Sequence, residues 1–352
     1  MKKFAIAGRN IGDEHPPFII AEVGINHNGS VDTALEMISV AKQAGADAVK
    51  FQTFKAREFV ADRTQQFTYQ SQGRQVTESM LAMFERFELP SDAWSSIKAE
   101  CDRHEIVFMS TPQNRSDLDL LLDVGLPAVK IGSDDFTNLP LIRSYAKTGL
   151  PLILSCGMAD LSEVHQALDA GGVFEGYPLA LLLCTSQYPT PPADVNLRKL
   201  PTLRSAFPGL VTGFSDHTQG PLAASLAVAM GAVIFEKHFT LHHDQAGPDH
   251  WFSEEPEGLK QWINGIRESK LMLGSAIVKP TKSELAMRTV ARRSLVALQA
   301  ISRGSQFTTE NVGLRRPGNG LQPGFLDHVL GNYAAKDILP GTLLSWGDIS
   351  TC

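Results

Sequence analysis

The sequence predicts an α/β fold, a closed (β/α)8 TIM barrel followed by a small, mainly β domain. Three observations point to it. Short apolar runs alternate with longer amphipathic stretches eight times between residues 17 and 274. The runs are continuously apolar, as in parallel strands buried on both faces. No G-x-G-x-x-G follows the first run, which counts against a doubly wound, dinucleotide-binding sheet.

Residues 17–24 (PFIIAEVG) read as the first strand and 31–45 as a helix ending on Gly45. DAVKFQ (47–52) is the second strand. The polar excursion that follows, to about residue 88, is too long for a plain loop and points to function. A helix over 91–104 starts with Ser91 as its expected N-cap. The remaining strands are EIVFMS (105–110), PAVKIG (127–132), LPLILS (150–155), LALLLC (179–184), LVTGFS (210–215) and AVIFEKH (232–238). A helix over 255–274 closes the barrel. The expected division is a barrel over 1–278, a linker over 279–293 and a β domain over 294–352. A domain that small is marginal alone and is expected to pack on the barrel or a partner.

The 352 residues are 43% hydrophobic and 20% charged, an ordinary globular composition that excludes disorder as the main state. The net charge is −6 with no basic run, which argues against a nucleic-acid partner. No stretch of about 18 apolar residues could span a membrane. The four cysteines (Cys101, Cys156, Cys184, Cys352) form no C-x-x-C pair and read as reduced thiols. MKKFAIAGRN is too short in apolar residues for a signal peptide, so a cytoplasmic protein is expected.

Barrel enzymes build their sites at the C-terminal ends of the strands. Polar side chains there are costly to bury and need a reason. They are Glu22, Lys50, Gln52, Ser110, Thr111, Lys130 and Ser133, with Asp134 and Asp135 next, then Ser155, Tyr188, Asp216, His217, Glu236 and His238. Lys50 and Lys130 with Thr111, Ser133 and Ser155 make a cationic, hydroxyl-lined pocket suited to a phosphate, or a phosphate plus a carboxylate. The competing arrangement pairs both lysines with Glu22 and Glu236 as internal ion pairs, at several kcal/mol per buried ion. A Schiff-base lysine is a further option. His217 and His238 lie on adjacent strands. With Asp216, Glu236 and Asp249 near, they could hold Mn²⁺, Fe²⁺, Co²⁺ or Zn²⁺. Spacing alone leaves acid–base or structural roles open. Cys184 could be a further ligand, but a cysteine in an apolar strand is more often inert core. His242, His243 and His250 read as an exposed loop.

The runs IAEVGINHNG (20–29), VKFQ (49–52), STP (110–112), KIGS (130–133), LSCGM (154–158), CTSQYPTP (184–191), GFSDHT (213–218), EKHFT (236–240) and GPDH (247–250) resemble the sialic acid synthase family. RRSLVA and RRPGNG (315–320) resemble the antifreeze-like, or SAF, domain of those synthases. The resemblance implies condensation of phosphoenolpyruvate with an open-chain N-acylated mannose-type sugar. The C–O bond of phosphoenolpyruvate breaks, water enters at C2 and phosphate leaves. N-acetylmannosamine, giving N-acetylneuraminate, is the expected acceptor. A 6-deoxy diacetamido sugar, giving diacetyllegionaminate or pseudaminate, is the alternative. By the same resemblance Lys50, Thr111, Lys130, Ser133, Ser155 and Ser186 hold phosphoenolpyruvate. His217 and His238 bind a divalent metal, Mn²⁺ first, with Mg²⁺ or Co²⁺ as alternatives. Gln52, Asp135, Tyr188 and Asp249 contact the sugar, and Glu22 and Glu236 handle protons or position water. Arg316 reaches the acylamino group from the SAF domain of the other subunit of a domain-swapped homodimer.

Three departures stand out. The family often has Glu at Asp135 and Asn at Ser186, and the excursion at 70–79 (QSQGRQVTES) differs from the neuraminate synthase pattern. Two other readings compete. One is a condensing enzyme making seven- or eight-carbon ketoacids, which usually lacks the appended domain. The other is a carbohydrate- or ice-binding protein with no catalysis, against which the strand-end lysines and histidines argue.

Overall fold

The computed structural model describes residues 3–351. It begins with an antiparallel hairpin, β1 (Lys3–Ile6) and β2 (Arg9–Gly12), that the sequence pattern did not announce. Eight parallel strands follow: β3 (Phe18–Gly24), β4 (Ala48–Thr53), then, after a second hairpin of β5 (Gln66–Ser71) and β6 (Arg74–Ser79), β7 (Val107–Pro112), β8 (Val129–Ile131), β9 (Leu152–Ser155), β10 (Leu179–Cys184), β11 (Val211–Ser215) and β12 (Ile234–His238). Their order is β7-β4-β3-β12-β11-β10-β9-β8, and β7 lies against β8, so the sheet is an almost closed barrel.

Helices wrap the outside. They are α1 (Val31–Ala44), the short α2 (Ala56–Phe59), α3 (Met80–Phe87), α4 (Ala93–Arg103), α5 (Arg115–Val124), α6 (Leu139–Ala146), α7 (Leu161–Ala170), α8 (Lys199–Ala206), α9 (Leu222–Ala229) and α10 (Pro256–Leu273). Local chemistry sets their ends. The Ser30 hydroxyl accepts the Thr33 N–H at 3.2 Å, and Gly45 stops α1 at φ 98°. Ser91 does not cap α4. Pro90 and Ser91 lie in a turn that the Ala93 N–H closes onto the Pro90 carbonyl, which leaves Asp92 at the cap. The excursion after β4 resolves into α2, the β5–β6 hairpin and α3.

Side-chain alternation sorts the strands into two faces. Outward residues such as Ile19, Val49, Phe108, Leu154, Leu181 and Phe235 are buried under the helices, where α10 seats Trp262 and Ile263. Inward residues form a separate core of Phe18, Ile20, Ala48, Met109, Ile153, Ala180, Leu182, Val211 and Ile234, to which the first hairpin adds Ile6 and Ile11. Gly213 belongs to that inner layer by necessity. A Cβ there would stand 2.4 Å from both the Ile234 carbonyl and Leu182. Apolar side chains therefore fill the lower barrel, and polar ones are left to the C-terminal ends of the strands.

The chain divides into two units, Met1–Gly274 and Ser275–Cys352. The second opens with α11 (Lys282–Ala291) inside the stretch expected to be linker. The Thr281 hydroxyl and the Glu284 carboxylate cap each other's backbone there. Strands β13 (Ser294–Ala297) and β14 (Val312–Arg315) pair antiparallel. Leu295, Phe307, Val312, Val329 and Leu344 fill that unit's own core.

Candidate active site

The inward parity that buries apolar residues low in the barrel delivers polar ones at its mouth. On β3 the inward series is Phe18, Ile20, Glu22; on β4 it is Ala48, Lys50, Gln52; on β12 it is Ile234, Glu236, His238. Met109 is followed by Thr111, Ile153 by Ser155, and Leu182 by Cys184. These side chains, with Lys130, Ser133, Ser186, Tyr188, Ser215 and His217, line one cavity of about 450 Å³.

Its floor is a quartet of buried charges. Lys50 Nζ lies 2.7 Å from Glu22 Oε2 and 3.7 Å from Glu236 Oε2, and donates to Thr111 Oγ1 at 3.0 Å. Lys130 Nζ lies 3.7 Å from Glu236 Oε1 and donates to Ser155 Oγ at 2.7 Å. Gln52 Nε2 donates to Glu22 Oε1 at 3.3 Å, and Ser215 Oγ to Glu236 Oε1 at 3.0 Å. The ion pairs weighed against an anion site thus exist, and they line an open cavity instead of sealing a core. Their electrostatics separate the two carboxyls. Burial, opposed by Lys50 and reinforced by Glu236, pushes Glu22 up to about 7. Burial also raises Glu236, but Lys130 and Lys50 outweigh it and hold that carboxyl at about 2. Burial lowers Lys130, whereas Glu22 and Glu236 outweigh it at Lys50 and raise that ammonium. At neutral pH the quartet therefore carries one firm carboxylate, one carboxyl poised to exchange its proton, and cationic lysine.

Hydroxyls flank the floor. Ser133 Oγ accepts the Gly157 N–H at 3.0 Å and donates to Cys184 Sγ at 3.5 Å, while Ser186 Oγ is buried with no protein partner. A Cβ at Gly157 would meet Ser186 Oγ at 2.3 Å and Ser133 Oγ at 2.7 Å, so only glycine lets both hydroxyls stay here.

The two imidazoles stand 5.6 Å apart between ring centroids. His217 Nδ1 contacts the Thr185 carbonyl at 2.8 Å. A carbonyl only accepts, so that nitrogen carries the proton and the lone pair of the neutral ring sits on Nε2. Cys184 Sγ lies 3.8 Å from the same Nδ1. His238 Nδ1 is buried without a hydrogen-bond partner, 3.9 Å from Asp249 Oδ2. Burial, then His217 and Lys50, hold His238 well below its ordinary range, hence neutral. Burial lowers His217, but Cys184 and the Thr185 carbonyl outweigh it and raise that imidazole above its ordinary range, so a divalent ion such as Mn²⁺ held by both rings would bind in exchange for a proton. Among the described residues no third His, Cys, Asp or Glu joins them in a metal-holding group. Substrate or water oxygens would complete such a shell.

Several expectations are revised. Asp216 faces away from the mouth, where it accepts Thr218 N–H and hydroxyl and Trp262 Nε1–H at 2.8 Å and lies 3.3 Å from buried Lys237. Its neighbour His217 faces in because alternate residues face opposite ways. Asp134, not Asp135, lines the cavity, and Asp135 accepts Asn138 Nδ2–H at 2.9 Å. Ser110 also faces outward, against Thr53 Oγ1 at 2.7 Å. His250 is fully buried between Thr240 and Asn28, whereas His242 and His243 are exposed or nearly so. Cys101, Cys156 and Cys184 are free and buried, and Cys352 lies outside the described residues. Arg316 sits exposed just after β14 in the second unit. Sequence reasoning passed over Ser215, Gln113, whose buried Oε1 has no partner, and the aromatic residues Phe59, Phe67 and Phe84 that line the same cavity. The signal for Ser215 and Gln113 was their place at or just past a strand end.

A barrel whose open end gathers paired lysines, carboxyls of opposed acidity and two imidazoles defines an enzyme site for an anionic substrate. The comparisons agree. The NeuB family model matches residues 37–278 and the SAF domain model residues 292–350, so the chain belongs to the NeuB family, the nonulosonic acid synthases. It is 39% identical to N,N'-diacetyllegionaminic acid synthase of Legionella pneumophila over 94% of each chain. It is 31% identical to N-acetylneuraminate-9-phosphate synthase of Mus musculus, over 94% of this chain and 91% of that one. The crystal structure of the N-acetylneuraminic acid synthetase from Leptospira borgpetersenii matches with a TM-score of 0.73 at 31% identity, over 81% of this chain and 95% of that one.

Proposed function

We propose that this enzyme condenses phosphoenolpyruvate with the open-chain aldehyde of an N-acylated mannose-type sugar. The carrying observation is the single cavity that joins the Lys50–Glu22–Glu236–Lys130 floor to the His217–His238 rim. C3 of phosphoenolpyruvate bonds to the aldehyde carbon, water oxygen bonds to C2, and the C2–O bond to phosphorus breaks, releasing inorganic phosphate. Lys50, Lys130, Thr111, Ser133, Ser155 and Ser186 supply the donors for phosphate and carboxylate. The reaction takes a proton from the entering water and gives one to the new alkoxide. Glu22, held near neutrality, can do both, whereas Glu236 stays ionised and steadies the lysines. Gln52 and Tyr188, which line the cavity, and Asp249, 3.9 Å from His238, are assigned to the sugar. A divalent ion on His217 and His238, Mn²⁺ first, would act as Lewis acid toward the aldehyde oxygen.

Two acceptors suit this chemistry: N-acetylmannosamine, and a 6-deoxy diacetamido sugar leading to diacetyllegionaminate. Identity of 39% to a legionaminic synthase against 31% to a neuraminate-9-phosphate synthase, together with the divergent 70–79 segment, favours the second. We further assign a homodimer in which Arg316 of one subunit serves the acylamino group at the other's cavity. The test is phosphate release together with mass detection of the nine-carbon product. Both should require phosphoenolpyruvate, an acylamino sugar and a divalent metal. No release with any mannose-type sugar refutes the assignment.

A further inference from the structure

The cavity lining has two chemically different parts. Its floor holds the charged quartet, while Phe59, Phe67 and Phe84, each only half-buried, add an aromatic stretch to the same lining. These rings are held in place. Phe84 packs edge-on against Phe59 at 5.0 Å and against the buried Phe54 at 5.2 Å. Phe67 stacks on Tyr69, its same-face neighbour on β5, at 5.8 Å. Tyr69 in turn donates to Glu78 Oε1 at 2.5 Å, and Arg86 grips the same carboxylate. The hairpin that carries Phe67 is tied to the loop following β12. Ser71 Oγ accepts the Gly247 N–H at 3.1 Å, and Gln72 Nε2 donates to the Asp244 carbonyl at 2.7 Å. The wall is therefore built and anchored, and part of each ring is left facing the cavity.

We propose that Phe59, Phe67 and Phe84 form an acceptor subsite that selects methyl-bearing substituents, namely the 6-methyl and distal acetamido methyl of a diacetamido 6-deoxy sugar. The inference rests on the synthase reading above. That reading fixes the aldehyde end of the acceptor at the polar floor and histidine rim, so the far end of the sugar is the part left to meet the aromatic stretch. Hydroxyl groups placed there would lose water without gaining a partner, because phenylalanine offers no hydrogen bond. Methyl groups gain by leaving water. An apolar pocket discriminates by roughly tenfold or more for one methyl-sized difference.

The experiment compares kcat/KM for 2,4-diacetamido-2,4,6-trideoxymannose and for N-acetylmannosamine, using the full chain with phosphoenolpyruvate and Mn²⁺. The wild type should favour the diacetamido sugar. Phe67→Ala should lower the ratio of the two values at least tenfold, mainly through KM for the diacetamido sugar. Phe67→Leu, which keeps an apolar surface, should hold the ratio within threefold of wild type. A circular dichroism melt and the KM for phosphoenolpyruvate report whether the hairpin change has disturbed the barrel. An unchanged ratio in Phe67→Ala, with both sugars losing equally, overturns the subsite and leaves the wall as hairpin packing. A wild type that favours N-acetylmannosamine overturns it while leaving the synthase reading intact. Turnover of neither sugar removes that reading and the subsite together.

Discussion

Lys50 Nζ and Glu22 Oε2 meet at 2.7 Å with both side chains almost wholly buried, yet the carboxyl of the pair is raised to about 7. Burial outweighs the lysine because Glu236, a second carboxylate, shares the same ammonium group. The pair is thus a store of one exchangeable proton. Below about 7 Glu22 is neutral and the floor is one unit more positive; above it Glu22 ionises and repels an incoming anion. Affinity for phosphoenolpyruvate should fall on the order of tenfold as pH rises from about 6 to 8. Titration calorimetry without metal measures it. Glu22→Gln should flatten that slope relative to wild type. The second ionisation of the phosphate, near pH 6, affects both proteins equally and cancels in the comparison. The same variant should lose about 100-fold or more in kcat. Parallel pH slopes for the two proteins would show that Glu22 does not titrate there.

The residues of this floor were legible because a strand alternates strictly. Once Phe18 and Ile20 are assigned inward, Glu22 follows, and the same reasoning places Lys50, Ser155, Glu236 and His238. Where the chain leaves the strand, parity no longer applies. Asp134 and Asp135 therefore changed places, because loop dihedrals and local partners such as Asn138 decide where each carboxylate faces. The aromatic wall was invisible for a different reason. Its rings come from α2, β5 and α3, close in sequence, but nothing local says that this excursion folds over the barrel mouth. The helix over Lys282–Ala291 did carry a readable sign, a threonine three residues before a glutamate, although its composition resembles a linker.

Removing either imidazole should weaken metal binding directly. His217→Ala and His238→Ala are each expected to lose about 100-fold or more in Mn²⁺ affinity, since disturbing even the partners of metal ligands costs about 10- to 100-fold. Electron paramagnetic resonance of free Mn²⁺ reads this without turnover. The far-ultraviolet circular dichroism should match wild type, because both rings stand at the cavity rim. Wild-type affinity in both variants would remove the metal assignment.

Behind the site, Lys237 is buried against Asp216 at 3.3 Å and Glu254 at 3.6 Å and donates to the Thr218 carbonyl. Lys237→Met would leave two carboxylates without their cation in a dry setting. A loss of about 3–5 kcal/mol in unfolding free energy is expected, measured by denaturant titration. The exposed Lys98–Asp102 pair, at 2.5 Å, is the control. Lys98→Ala should cost no more than about 1 kcal/mol. Equal effects would mean that the burial of Lys237 carries no energetic weight.

Arg316 tests the assembly. It lies exposed in the second unit, on a segment distinct from the barrel that holds Glu22. If it serves the partner's cavity, Arg316→Ala should raise KM for the sugar about tenfold or more, as loss of a charge-assisted hydrogen bond does. KM for phosphoenolpyruvate should move much less. A mixing experiment then separates a swapped from an unswapped arrangement. Arg316→Ala and Glu22→Gln chains are each impaired alone. In a swapped mixed dimer, one cavity combines the native Glu22 of one chain with the native Arg316 of the other. Random re-pairing after mild dissociation should therefore restore about one native site in four. Within an unswapped dimer, every cavity keeps one of the two lesions and mixing restores nothing. Activity that stays at the average of the two separate variants would rule out the exchange of Arg316 between subunits.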